Sequence, residues 1–121
     1  METVEESVAG AIATAELNEV TNSRFFAGDV RTAMRPLLEQ AGKPDVVVVD
    51  PPRPGLSQKV VRRVLEAEAK RIVYVSCNPT TLAANVKALR DDWGYELVRT
   101  RAVDMFPQTP HIECVALLVR D

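Results

Sequence analysis

Four consecutive valines lie between two aspartates, Asp45-Val46-Val47-Val48-Val49-Asp50, and Pro51-Pro52-Arg53-Pro54-Gly55 follows at once. A β-branched run without polar alternation predicts a short strand covered on both faces, as in a parallel sheet flanked by helices. The prolines fix φ and remove backbone donors, so neither a ladder nor a helix continues through them. A shaped loop must therefore begin where the strand ends.

The remaining pattern alternates between helical and strand periods. Ser7 to Asn18 predicts a helix with Val8, Ala11, Ile12 and Ala15 on one stripe, Ser7 serving as N-cap or first-turn residue. Ser23 to Ala27 reads as a short strand closed by Gly28-Asp29. A broken helical stretch runs to Ala41, with Pro36 placed in the first turn of a short helix and Gly42 as its stop. Ser57 to Lys70 predicts a helix with Val60, Val61, Val64 and Leu65 inward, and Arg71 to Ser76 a second buried strand. Asn78-Pro79 then supplies an N-cap and a first-position proline for a helix carrying Leu82, Val86 and Leu89 and ending near Asp91. Gly94 to Val103 and Ile112 to Val119 form two closing strands with no helix between them, so they should pair antiparallel. Strands alternating with helices give an α/β fold, with a mainly parallel sheet ending in an antiparallel hairpin.

A chain of 121 residues, 46% hydrophobic and 26% charged, has the composition of one globular domain rather than a disordered or fibrous segment. Its apolar runs are strand-sized and fall well short of the roughly 20 residues that span a bilayer, so no membrane partner is expected. Met1-Glu2-Thr3-Val4-Glu5-Glu6 is acidic and lacks the basic start of a secretory signal. Cys77 and Cys114 are too few for a disulfide framework, which makes a reducing cytoplasm the expected location. The net charge of -2 gives the whole chain no electrostatic footprint for nucleic acid, so most of any RNA affinity is expected from a local patch or from polypeptide outside these residues.

Ligands of open α/β sheets bind beyond the carboxyl ends of the parallel strands. Asp29, Asp50 and Cys77 each stand just past such an end. The closing strand runs the other way, so His111-Ile112-Glu113-Cys114 begins at the same edge. An acid at a strand end often only caps the next helix, but the prolines after Asp50 remove amides that such a cap would serve. Cys77 lies between a buried strand and a helix start, a place that favours thiolate. Cys114 has apolar strand neighbours and fits core packing. Neither C-x-x-C nor H-x-x-x-H occurs, so no metal site is expected, and the five glycines form no G-x-G phosphate loop.

D-P-P-R-P-G (Asp50 to Gly55), I-V-Y-V-S-C-N-P-T-T-L-A (Ile72 to Ala83) and D-M-F-P-Q-T-P-H-I-E-C-V (Asp104 to Val115) resemble, in this order, the RNA uracil-5 methyltransferase family. The resemblance implies a partial Rossmann-like class I methyltransferase sandwich that makes 5-methyluridine in tRNA or rRNA with S-adenosylmethionine. It implies Cys77 as nucleophile and Glu113 as general base. Glu2 would hold the cofactor ribose, Asp29 would lie beside the adenine, and Asp50 near the methyl donor and target base. The family's RNA-binding domain, any iron–sulfur cluster and the glycine-rich first strand have no counterpart here. Residues 1–121 are thus expected to form a single, N-terminally truncated catalytic domain, inactive alone and able to self-associate through the exposed edge of the Val46 to Val49 strand.

The chemistry accounts for the residue types. Uracil C5 is a weak nucleophile; a thiolate adding to C6 makes it electron-rich, and a base must later remove the C5 proton. Two rivals stand beside this reading. An amino-methyltransferase using Asp50-Pro51-Pro52 should carry an aromatic residue where Arg53 stands. A catalytically silent interaction module would need no cofactor loop.

Overall fold

The computed structural model describes residues 1–121. Its elements run α1 (Glu5–Leu17), α2 (Val30–Ala41), β1 (Val46–Val49), α3 (Gln58–Leu65), β2 (Arg71–Ser76), α4 (Pro79–Trp93), β3 (Glu96–Val103) and β4 (Glu113–Val119). They form two compact units, Met1–Gly42 and Lys43–Asp121.

In the first unit, α1 starts after Val4, whose side chain makes no cap bond, and Glu5 and Glu6 place negative charge on its first turn. Ser7 therefore lies inside the helix. Ala15 is buried while Ile12 is 41% exposed, so the covered stripe is narrower than the apolar periodicity suggests. The expected strand at 23–27 is reduced to a single parallel bridge between Glu2 and Ala27. Two bonds hold it, Glu2 N–H to Phe26 O at 3.1 Å and Gly28 N–H to Glu2 O at 2.9 Å. The Asp29 carboxylate then accepts from Arg31 N–H and turns the chain into α2. This helix runs unbroken through Pro36 instead of starting at it. Both Thr32 and Pro36 are exposed, so water can reach the Thr32 carbonyl that proline has no N–H to serve.

The second unit is built on one four-stranded sheet in the order β1-β2-β4-β3. β1 pairs parallel with β2, and β4 pairs antiparallel with both β2 and β3. Three strands thus point one way, and the hairpin places β4 inside the sheet with β3 at its rim. Helix α3 ends at Leu65, short of the expected Lys70, because Glu68 takes a left-handed φ of 51° and turns the chain toward β2. The carbonyl of Ala69 in that turn accepts a 2.6 Å bond from the Tyr95 hydroxyl. Ser57 caps α3 by accepting from Val60 N–H, and Asn78 caps α4 by accepting from Thr80 N–H. α4 extends to Trp93, where Gly94 adopts the left-handed conformation that closes it.

Side chains alternate across the strands. One face presents Ile72, Tyr74, Ala116 and Leu118, all nearly inaccessible, to Val61, Val64 and Leu65 of α3 and Leu82 and Leu89 of α4. Cys114 packs against this core. The opposite face carries Val73, Val75, Val115 and Leu117, which are half-buried.

Candidate active site

Cys77 follows the last residue of β2, and Glu113 is the first residue of β4. The last registered pair of these strands is Ser76 with Cys114. Cys77 and Glu113 are the next residues beyond that pair, so both stand at the same edge of the sheet. Ser76 and Cys114 belong to the helix-packed face. Cys77 and Glu113 are half-buried, and Val103 of β3 continues the row beside Glu113.

Asp50 stands at the same edge, exposed, one residue after β1. The loop that it opens is tied down by α4. Asn85 donates from Nδ2 to Leu56 O at 2.9 Å, while its Oδ1 accepts from Leu56 N–H at 3.0 Å and from the Tyr74 hydroxyl at 2.7 Å. Burial raises the Tyr74 phenol above its ordinary range, which keeps it a donor. Gly55 has φ +78°, and a Cβ there would lie 2.7 Å from Asn85 Oδ1.

Arg53 joins the three loops of this edge. Its carbonyl accepts from Asn78 Nδ2 at 3.3 Å and from Thr81 Oγ1 at 3.0 Å, both at the start of α4. Its guanidinium lies 3.0 Å from His111 Nδ1, just ahead of Glu113. A guanidinium only donates, so this contact needs His111 Nδ1 as acceptor and the ring proton on Nε2.

Glu2 and Asp29 belong to the first unit, where the Glu2–Ala27 bridge brings their chain segments together. Glu2 Oε1 accepts from Thr3 N–H at 2.7 Å, Thr3 Oγ1 at 3.2 Å and Val4 N–H at 3.2 Å. The Val4 and Thr3 amides, followed by the Thr3 hydroxyl, hold this carboxyl below the usual carboxylate range. Glu2 Oε2 lies outside these bonds, so an ionised acceptor faces outward, as a ribose diol requires. Asp29 is more heavily engaged: Arg31 binds both of its oxygens, with Nη2 to Oδ2 at 2.6 Å. A donor from an adenine would have to share Asp29 with Arg31. The donor set fits S-adenosylmethionine at Glu2 directly and at Asp29 by competition.

The sequence reading singled out Cys77, Glu113, Asp50 and His111 at this edge; Tyr74 and Thr81 fell within a motif but were given no role, and Asn85 lay outside the motifs. Asn85 did leave a signal. It stands three residues after Leu82 and four before Leu89, on the inward stripe of α4, where an amide must find polar partners.

A family model described as tRNA (Uracil-5-)-methyltransferase matches residues 2–121. A protein of Porphyromonas gingivalis described as an uncharacterized RNA methyltransferase is 45% identical over 122 residues, covering 100% of this chain and 26% of the relative. One of Enterococcus faecalis with the same description is 48% identical over 120 residues, covering 99% and 26%. The chain thus spans about a quarter of the length of these curated relatives. Among solved structures, the Pyrococcus abyssi tRNA (uracil-54, C5)-methyltransferase in complex with S-adenosyl-L-homocysteine superposes with a TM-score of 0.80 at 39% identity, over 97% of this chain and 27% of that one. A Listeria monocytogenes protein with a TM-score of 0.68 and 10% identity shares the fold. With its three motifs in order and the model matched from residue 2 to residue 121, the chain belongs to the tRNA (uracil-5-)-methyltransferase family.

Proposed function

We propose that this chain supplies the thiol, base and nucleoside-binding acids of an S-adenosylmethionine-dependent methyltransferase that acts on C5 of a uridine in tRNA or rRNA, in the reducing cytoplasm. The β2–β4 pairing, which brings Cys77 and Glu113 to the same edge of the sheet, supports this reading. An amino-methyltransferase needs neither a thiol nor a base across a sheet edge.

When bound, S-adenosylmethionine supplies an electrophilic methyl group. Glu2 would hold the ribose hydroxyls, Asp29 would lie beside the adenine, and Asp50 would lie near the methyl donor and the target base. The Cys77 thiolate adds to C6, and the ring electrons move through C5 to the C4 carbonyl as an enolate. C5 thereby becomes the nucleophile of the transfer. Glu113 then takes the C5 proton, the C5–C6 double bond re-forms, and the thiolate leaves C6.

RNA carrying 5-fluorouridine at the target position tests this, because fluorine cannot leave C5 as a cation and the thioether persists. Mass spectrometry of the native polypeptide is expected to find the nucleotide on Cys77 and no adduct in Cys77→Ala. An undiminished adduct in Cys77→Ala would overturn the assignment.

A further inference from the structure

Ser76 is a buried polar residue at the end of β2, only 3% exposed and set among core side chains. Its hydroxyl is fully used, but not across the sheet. Oγ accepts from Asn78 N–H at 3.0 Å and donates to Asn78 O at 2.9 Å. Both bonds reach two residues along the chain, so they close a small ring around Cys77. The far side of the ring is anchored as well. Asn78 Nδ2 reaches Arg53 O at 3.3 Å, and Thr81 Oγ1 lies 3.0 Å from Arg53 O and 3.1 Å from Asn78 O.

The strand must do two things at this point. It has to hold its pairing with β4 through Ser76 and present Cys77 at the sheet edge where β4 begins. It then has to turn at once into α4, whose N-cap is Asn78. A hydroxyl on the helix-packed face that grips both backbone groups of residue 78 meets both needs. Alanine at 76 would leave the Asn78 N–H without this acceptor and free the bond rotations on either side of Cys77.

We propose that Ser76 is a positioning residue: its hydroxyl clamp on Asn78 aims the Cys77 sulfur at the position where the uracil C6 lies during addition. The proposal rests on the uridine reading above. It assigns Ser76 no contact with substrate or cofactor. Its loss should slow the covalent step without weakening RNA binding, since small displacements of a reacting group are costly to rate.

The test measures two quantities on the native polypeptide, the rate of adduct formation with 5-fluorouridine RNA at saturating RNA and the Kd for that RNA. Ser76→Ala is expected to lower the adduct rate at least tenfold with Kd unchanged within about twofold, and Ser76→Thr, which keeps the hydroxyl, to restore most of the rate. Ser57→Ala removes the α3 cap, a comparable structural loss away from Cys77, and should react as the wild type does. Thermal melts confirm that each variant is folded at the assay temperature. A folded Ser76→Ala protein reacting at the wild-type rate would overturn the proposal, as would equal losses in Ser76→Ala and Ser57→Ala. If Ser76→Ala does not fold, Ser76→Thr decides alone: a wild-type rate upholds the clamp and a tenfold loss refutes it. Absence of any adduct in the wild type would instead strike the uridine reading and the proposal with it.

Discussion

The side-chain amide of Asn85 pairs with both backbone groups of Leu56, giving a proton to its carbonyl at 2.9 Å and taking one from its N–H at 3.0 Å. A helix side chain thus acts toward the Asp50–Leu56 loop as a neighbouring strand would. The Tyr74 hydroxyl completes the arrangement by donating to the same Oδ1 at 2.7 Å.

Asn85→Ala should consequently cost more than one ordinary hydrogen bond, because it leaves the Leu56 N–H and C=O and the Tyr74 hydroxyl without their partner. A loss of about 2–4 kcal/mol in unfolding free energy is expected from urea titration. A loss below about 0.5 kcal/mol would mean that the loop is held by other means.

Gly55→Ala meets two obstacles. The residue adopts φ +78°, and its new Cβ would lie 2.7 Å from Asn85 Oδ1 and 3.1 Å from Thr81 Cβ. A destabilisation of about 1–3 kcal/mol is expected, read as a lower urea midpoint at unchanged slope.

Glu113→Gln should separate the two halves of the reaction. If Glu113 is the base proposed above, the amide cannot accept the C5 proton, and addition and methyl transfer should proceed while elimination stalls. Gel analysis with ordinary uridine RNA should show a methylated protein–RNA adduct accumulating and turnover reduced by roughly 10²-fold or more. Normal turnover would assign the base to another group.

Lys43 and Glu68 pair at 2.6 Å on the surface. The Lys43 hydrogen bond, then its charge, holds the Glu68 carboxyl below the ordinary glutamate range. A lowered carboxyl contributes stability that is present above the unfolded-state value of about pH 4.3 and is lost as pH falls through the folded value. Following the Glu68 carboxyl by NMR should show its midpoint rising toward the ordinary value in Lys43→Met. High salt should produce part of the same rise, because the pair is exposed.

Sequence reading worked best where a single rule governed. Arg71 to Ser76 became a strand because burial and β-branching point the same way, whereas the valine run became a strand that is not covered on both faces as expected: it lies at the edge of the sheet with Val46 41% and Val48 65% exposed. Asn78-Pro79 became a helix start because cap chemistry is local. It failed where tertiary surroundings override local signals. Pro36 looked like a helix boundary, yet the exposed face of α2 lets water serve the carbonyl left over. Phe25 and Phe26 looked like a strand, but a ladder needs a partner of matching length, and the pairing here is one bridge at Ala27. At the candidate site, the motif residues were legible one by one. Their convergence on one edge could be anticipated from topology, whereas the contacts of Ser76, Tyr74, Thr81 and Asn85 depend on three-dimensional placement that no local pattern encodes.

The interior position of β4 imposes an order of events on folding. β1, α3, β2 and α4 can assemble from neighbouring segments, but the β2 edge that receives β4 stays open until residues 113–119 arrive and slip in ahead of β3. Pairings between distant segments form late and slowly. During synthesis, which proceeds from the N-terminus, Cys77 therefore emerges before the strand that begins at Glu113. Cys77 and Glu113, just past the end of β2 and at the start of β4, reach one sheet edge only when this long-range step is complete.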